Sequence, residues 1–244
     1  MITFFVSSTF KDMVGEREIL HREILPRINK EIRKYGEYIS ICDLRWGLDT
    51  GKDKVEEAIV KAMEVCADAI DNCRPYMLIL LGDYYGTVPK ISTIEKCLAD
   101  HHIPRPDNSA SMSVTQFEIE YGIFTKNAQT AVNSICCFRD LDTHSYFHTS
   151  NEDHQQIEHL KGRLLERADI FCMEYKADWN PEIGQTVGLE DLESYYSQSF
   201  HSHAQKQPAK LSADAAHLDF FAYVCEVTDS SQIKTVNQLL TSCA

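Results

Sequence analysis

The opening segment Ile2 to Ser7, ITFFVS, constrains the fold most, because it reads as a continuous apolar run rather than a strict alternation. Such a run suits a central parallel strand buried on both faces. Parallel neighbours need crossover connections, and a helix does follow. Lys11 to about Tyr35 carries Leu20, Ile24, Leu25, Ile28 and Ile32 on one side, with a kink expected at Pro26 and a stop at Gly36.

The pattern then repeats. Tyr38 to Leu44 reads as a second strand, and Lys54 to Cys73 as a helix with Val55, Ile59, Ala62, Cys66, Ile70 and Cys73 inward. Tyr76 to Leu81 reads as a third strand. Residues 83 to 110 form an excursion marked by Gly86, Pro89, Pro104 and Pro106, with a short helix around Thr93 to Leu98. Ser113 to Lys126 is the next helix, Val132 to Phe138 the fourth strand, Gln155 to Ala168 a helix and Asp169 to Tyr175 the fifth strand. The expected fold class is therefore α/β, with a doubly wound, mostly parallel, five-stranded sheet and right-handed crossovers. Its ligand site belongs at the carboxyl ends of the strands.

From Asp178 the pattern changes. Trp179, Pro181, Gly184 and Gly188 mark an irregular link, followed by amphipathic stretches containing Leu211, Leu218, Phe221, Val224 and Cys225, then Ile233, Val236, Leu239 and Leu240. Two units are expected: an α/β domain over 1–178 and a helical extension over 179–244. The chain reads either as a fragment cut before a further domain or as a short protein with a helical appendix.

Composition narrows the class. A hydrophobic fraction of 43% and an aromatic fraction of 10% describe a globular chain. No apolar run is long enough to cross a bilayer, and the amino terminus lacks a signal-peptide cleavage pattern, so a cytoplasmic location is expected. A formal charge of −13 disfavours general attraction to nucleic acid or anionic lipid. Nine cysteines without a C-x-x-C pair fit reduced core thiols.

Several motifs fall away on inspection. Gly47 to Asp53, GLDTGKD, has three residues between its glycines where a phosphate loop needs four, and Asp53 follows Lys52 where Ser or Thr is needed. Cys97 with His101 and His102, His144 with His148, and His201 with His203 lack the spacing of a structural zinc site, so no metal is expected. There is no G-x-S-x-G elbow.

What remains is Ser111 to Phe124, SMSVTQFEIEYGIF. A polar loop feeds a helix starting near Thr115, with Ser113 or Thr115 as cap and Phe117, Tyr121 and Phe124 inward. Glu118 then falls in the first turn, beside a concave surface. Two roles are open for it: a catalytic carboxylate, or a residue that satisfies the helix dipole.

Phe5-Val6-Ser7-Ser8-Thr9-Phe10, Asp12, Glu16, Arg17, Asp43-Leu44-Arg45-Trp46-Gly47, Leu81-Gly82, Tyr85-Gly86, Pro89 and Ser113-Val114-Thr115 with Glu118 together resemble a known domain. It is the TIR-like amino-terminal domain of STAND NTPases, found in telomerase-associated and NACHT and WD-repeat proteins. The likeness covers roughly the first 175 residues. It extends more weakly to Ala216-His217 with Phe220, Phe221 and Ala222. Thr115 to Gly122 is also similar to the Cys-x-x-Glu step of NAD-cleaving TIR domains and to the Thr-x-x-Glu run of nucleoside deoxyribosyltransferases. Val114 and Glu120 depart from the glycines of those runs, and Glu120 either narrows the site or faces solvent.

The resemblance implies an immune-type or antiviral effector domain of a STAND sensor. In that reading it is an NAD nucleosidase acting when the parent NTPase self-associates, with NAD as substrate and no bound cofactor. Glu118 is then the catalytic carboxylate, and Ser7, Ser8, Thr9, Phe10, Asp43, Arg45, Trp46, Gly82, Tyr85 and Thr115 are substrate contacts. Most of these have a structural counterpart: the hydroxyls cap a helix, Asp43 and Arg45 form a buried pair with Arg17 or Glu16 that locks the sheet edge, and Trp46 and Tyr85 close the core. Two further readings are a self-associating adaptor without catalysis and a nucleoside or nucleotide N-glycosidase.

Overall fold

The computed structural model describes residues 1–33, 36–44, 52–106, 109–125, 133–141 and 150–206. Six strands form one sheet in the order β2-β1-β3-β4-β5-β6. They are β1 (Ile2–Ser8), β2 (Ile39–Cys42), β3 (Met77–Leu81), β4 (Ile135–Leu141), β5 (Phe171–Asn180) and β6 (Gln185–Val187). The first five run parallel, with Phe5 opposite Met77 and Leu78 opposite Ile135. Their order, 2-1-3-4-5, is one of the two common doubly wound orders.

Among the described residues the sheet therefore has six strands, not five. The segment expected to be an irregular link after Asp178 instead continues β5 to Asn180, turns through Gly184 at φ 62°, and returns as antiparallel β6. Glycine adopts that left-handed conformation without steric cost. Trp179 and Thr186 lie directly opposite each other. Three-residue strands are too short to leave a periodic signal.

Helices cover both faces. α1 spans 14–32, built from Val14–Ile19, a π-type turn Leu20–Ile24 and Leu25–Ile32. The wide turn, where Leu25 N–H bonds the Leu20 carbonyl, immediately precedes Pro26, whose ring cannot donate to the α-helical ladder. α2 is Lys52–Cys73, α3 is Ile91–Asp100, and α4 spans 114–124 as Val114–Ile119 followed by the π-type turn Glu120–Phe124. α5 is Asn151–Leu165 and α6 is Glu190–Lys206.

α5 starts four residues earlier than expected, because Ser150 Oγ accepts a hydrogen bond from the Asp153 N–H at 3.0 Å, with Glu152 and Asp153 in the first turn. That capping signature outweighs the later apolar periodicity.

One layer packs α2 to α5 on Phe5, Ile79, Leu81, Cys136 and Phe138. The other packs α1 and α6 on Phe4, Val6, Leu78, Leu80 and Cys137. Alternate residues of β1 thus enter opposite layers, as its apolar run requires. Beyond residue 178, Leu192, Tyr196 and Phe200 of α6 lie in this second layer, with the Phe200 ring 5.1 Å from Phe4. The first turns of the carboxyl-terminal unit are built onto the α/β body. Among the described residues, every cysteine is a free thiol.

The least sequence-legible feature is polar. β4 extends past Phe138 so that Arg139 is fully buried, with Nη2 2.8 Å from Asp12, Nη1 2.9 Å from Glu16 and Nη2 3.3 Å from Asp83. Its Nη1 also donates to the Thr186 hydroxyl at 3.1 Å, and the Tyr175 hydroxyl donates to Glu16 at 3.0 Å. Burial disfavours the charge of Arg139, but Glu16 and Asp12 outweigh it and raise its pKa above the ordinary value. Burial likewise raises the pKa of Glu16, against the pull of Arg139.

Removing the cation from such a site leaves buried carboxylates uncompensated. Arg139→Leu should therefore cost about 3–5 kcal/mol of unfolding free energy in urea titration. A loss below about 1 kcal/mol would mean that the acids find other partners.

Candidate functional site

The strand order reverses direction beside β1, where the chain first steps to β2 and then across to β3. Loops leaving the carboxyl ends of these strands diverge there and leave a crevice. In this crevice lies a cavity of about 270 Å³. Ser8, Thr9, Phe10, Lys11 and Arg17 line it from the end of β1 and from α1, and Tyr84, Gly86 and Thr87 from the loop after β3. Cys66 of α2, with Thr115 and Glu118 of α4, forms its inner wall.

The start of α4 sets the position of Glu118. Ser113, not Thr115, is the cap: its Oγ accepts from the Gln116 N–H at 3.1 Å, while the Val114 N–H bonds the Thr87 carbonyl at 3.0 Å. The helix is thereby tied to the loop after β3. Because it begins at Val114, Glu118 lies beyond the first turn, which holds no acidic residue. The helix-dipole role considered for Glu118 loses its geometric basis.

The Glu118 carboxyl faces the cavity from a nearly closed position, 8% exposed. Its Oε2 accepts a 2.6 Å hydrogen bond from Ser7 Oγ. Burial pushes its pKa up to about 7, while hydrogen bonds from Ser7 and Cys66 and the charge of Arg17 pull it down and Asp43 opposes them. The group therefore keeps its proton to higher pH than an ordinary carboxyl does. A carboxyl in that state can accept or release a proton, or ionise fully beside a cation.

The other expected residues divide between this cavity and its supports. Ser8 and Thr9 line the cavity, and Ser8 Oγ accepts from Arg17 Nε at 2.7 Å. Ser7 stands behind them, bonded to Glu118. Phe10 lies at the rim with its ring 4.5 Å from the Arg17 guanidinium. Asp43 is paired with Arg17 and lies 2.8 Å from His21 Nε2. Thr115 lines the cavity beside Gly86, whose φ of 105° turns the loop. A Cβ on Gly86 would lie 3.3 Å from the Thr115 hydroxyl and 3.4 Å from the Thr9 methyl.

Two expected contacts point elsewhere. Tyr85 is buried, and its hydroxyl donates to Gln116, with burial pushing the phenol up to about 12. Gly82 backs onto the Arg139 network: a Cβ there would lie 2.4 Å from Asp12 and 2.5 Å from Arg139. Arg45 and Trp46 lie outside the described residues. Glu120 neither narrows the cavity nor meets solvent, since it is buried against Arg163, with Nη2 3.1 Å from Oε2, and Gln116.

Lys11, Cys66, Tyr84 and Thr87 were not legible as site residues. Lys11 adjoins the Ser7-to-Phe10 run and could have been taken with it. Cys66 reads as a core thiol at its helical spacing.

The crevice and its buried carboxyl define an α/β domain with a small cavity at the strand ends. The chain belongs to the family described as "Domain of unknown function (DUF4062)", whose model matches residues 3–183. It is 28% identical over 221 residues to telomerase protein component 1 of Mus musculus, and 26% identical over 219 residues to the Rattus norvegicus protein. The match covers 84% of this chain in each case and 8% of the relative. A TPR repeat-containing protein of Dictyostelium discoideum is 25% identical over 221 residues, covering 82% of this chain and 12% of that protein. The chain thus spans about a tenth of the length of these relatives. No solved structure matches it. Among the described residues, no helix is long and apolar enough to cross a membrane, and no group of three or more His, Cys, Asp or Glu residues is arranged to hold a metal ion.

Glu118 links protonation to stability. Its folded pKa of about 7 lies above the unfolded value, so the unfolded state binds fewer protons between pH 4.5 and 7. The folded state is then penalised progressively as pH rises through that window. Glu118→Gln should gain about 2 kcal/mol relative to the parent between pH 5 and pH 8, measured by denaturant unfolding at both values. A difference independent of pH would place the carboxyl in open solvent.

Proposed function

We propose that this domain cleaves the bond between nicotinamide and ribose in NAD, with Glu118 as the catalytic carboxylate. The observation that carries this reading is a carboxyl, the one acidic lining residue among those described, facing a strand-end cavity beside Ser7, Ser8, Thr9 and Thr115. The resemblance of Thr115 to Gly122 to the glutamate-bearing run of NAD-cleaving TIR domains, drawn from the sequence alone, supplies the reaction class. The proposed setting is a longer sensor of telomerase-component or NACHT type, in which self-association completes the site.

The chemistry suits one carboxylate. As the C1′–N bond breaks, nicotinamide leaves with the electron pair as a neutral base, and positive charge develops on the ribose. An anion fixed beside C1′ stabilises that charge more than the ground state. A water molecule then bonds to C1′ and releases a proton, giving ADP-ribose, nicotinamide and H⁺. The same carboxylate can instead trap the sugar covalently before water arrives. A cationic pyridinium entering the cavity favours ionised Glu118, so binding itself drives off the proton that burial retains. Ser7 orients the carboxyl through Oε2, and the Arg17–Asp43 pair holds Ser8 in position.

A second reading has its own support. Glu118 is hydrogen-bonded and nearly closed off, as in a carboxyl that only stabilises a docking module.

Incubating the clustered chain with NAD and measuring free nicotinamide decides between them. The parent should release it, with kcat/KM rising with pH through about 7. Glu118→Gln should lose on the order of 10²-fold or more. Equal release by both proteins removes Glu118 from the mechanism. Turnover of nucleosides but not NAD shifts the substrate, and self-association without turnover favours the docking module.

A further inference from the structure

We propose that Lys11 grips the diphosphate of the dinucleotide at the cavity mouth and makes the site selective for nucleotides over nucleosides. This rests on the NAD-cleaving reading of the same site.

Size comes first. At about 270 Å³ the cavity lies below the roughly 300–1,000 Å³ of pockets that enclose drug-sized ligands. A dinucleotide is larger than that. Only the base and sugar nearest Glu118 are enclosed, so the diphosphate must cross the mouth.

Charge comes second. Arg17 and Lys11 are the two cationic lining residues among those described. Arg17 is committed: it pairs with Asp43, and its Nε and Nη2 donate to Ser8 Oγ at 2.7 Å and Ser8 O at 3.1 Å. Lys11 is exposed and forms no ion pair among the described residues. Its Nζ sits 5.0 Å from the centroid of the ring of Tyr84, which also lines the cavity, a contact that positions the ammonium without neutralising it. The cavity thus has a carboxyl on its inner wall and an uncommitted cation at its rim. A ligand that fits both develops positive charge at its sugar and carries negative charge just beyond it. The chain as a whole carries a formal charge of −13, so its general field repels a diphosphate and local attraction at the mouth becomes selective.

The test uses the full 244-residue chain and its Lys11→Ala, Lys11→Glu and Lys11→Arg variants. ADP-ribose is titrated calorimetrically at low and at physiological salt. The parent should bind it, Lys11→Ala and Lys11→Glu should bind at least about tenfold more weakly, and Lys11→Arg should restore binding. The salt dependence of the parent should be reduced in Lys11→Ala. In turnover, the preference for NAD over nicotinamide riboside in kcat/KM should fall about tenfold in Lys11→Glu. Failure of the parent to bind ADP-ribose, or binding by Lys11→Glu equal to the parent, overturns the proposal. A Lys11-dependent ADP-ribose affinity without cleavage of either substrate upholds the diphosphate contact and removes the cleavage reading.

Discussion

The structure depends on one buried cation. Arg139 reaches from β4 to Asp12 and Glu16 at the head of α1, to Asp83 after β3 and to Thr186 on β6. Four segments far apart in sequence meet on one guanidinium. Desolvating these groups is expensive, and only their mutual contacts offset the cost. Their energetic contribution is less distinctive than their geometry. Asp12 also accepts from the Asp83 and Tyr84 N–H groups at 3.2 and 3.3 Å, so the loop after β3 is held against the loop after β1. Those loops form the front of the cavity.

A second set of contacts fixes the back wall. The Ser113 cap and the Val114–Thr87 bond anchor α4 to the loop after β3, and the Tyr85–Gln116–Glu120–Arg163 chain ties the same helix to α5. Glu118 points the other way, toward Ser7 and the cavity. The helix thus separates two carboxyls only two residues apart. Glu120 faces a guanidinium, whereas Glu118 meets hydroxyl and thiol hydrogen bonds and a guanidinium already paired with Asp43. That environment keeps the Glu118 proton in play near neutral pH, a property associated with reactive groups in clefts.

Much of this architecture was legible beforehand. The apolar run of β1, the stripe of α1 and the alternation through β4 led to a parallel sheet with its site at the strand ends. Phe117 and Tyr121 marked the inward stripe of α4, and Glu118 stood out beside it, although in the first turn rather than beyond it. The sixth strand did not emerge, because its three residues lie among turn formers. Arg139 did not either, since a charged residue at the end of an apolar strand looks like the place where the strand stops. Asp43 had equal claims as ligand contact and ion-pair partner until its distance to His21 and its pairing with Arg17 were known.

Side-chain period and capping chemistry act over a few residues, so the chain alone determined its layered α/β form, the inward faces of its helices and the candidacy of one glutamate. Tertiary structure decided which carboxylates are neutralised, which glycine backs the ion network instead of the cavity, and which lysine joins its lining without an ion pair among the described residues. The reason is distance along the chain. Ser7 and Glu118 are 111 residues apart, and Asp12 and Arg139 are 127 apart. No local pattern encodes such pairs. Only closure of the sheet brings them within hydrogen-bonding reach.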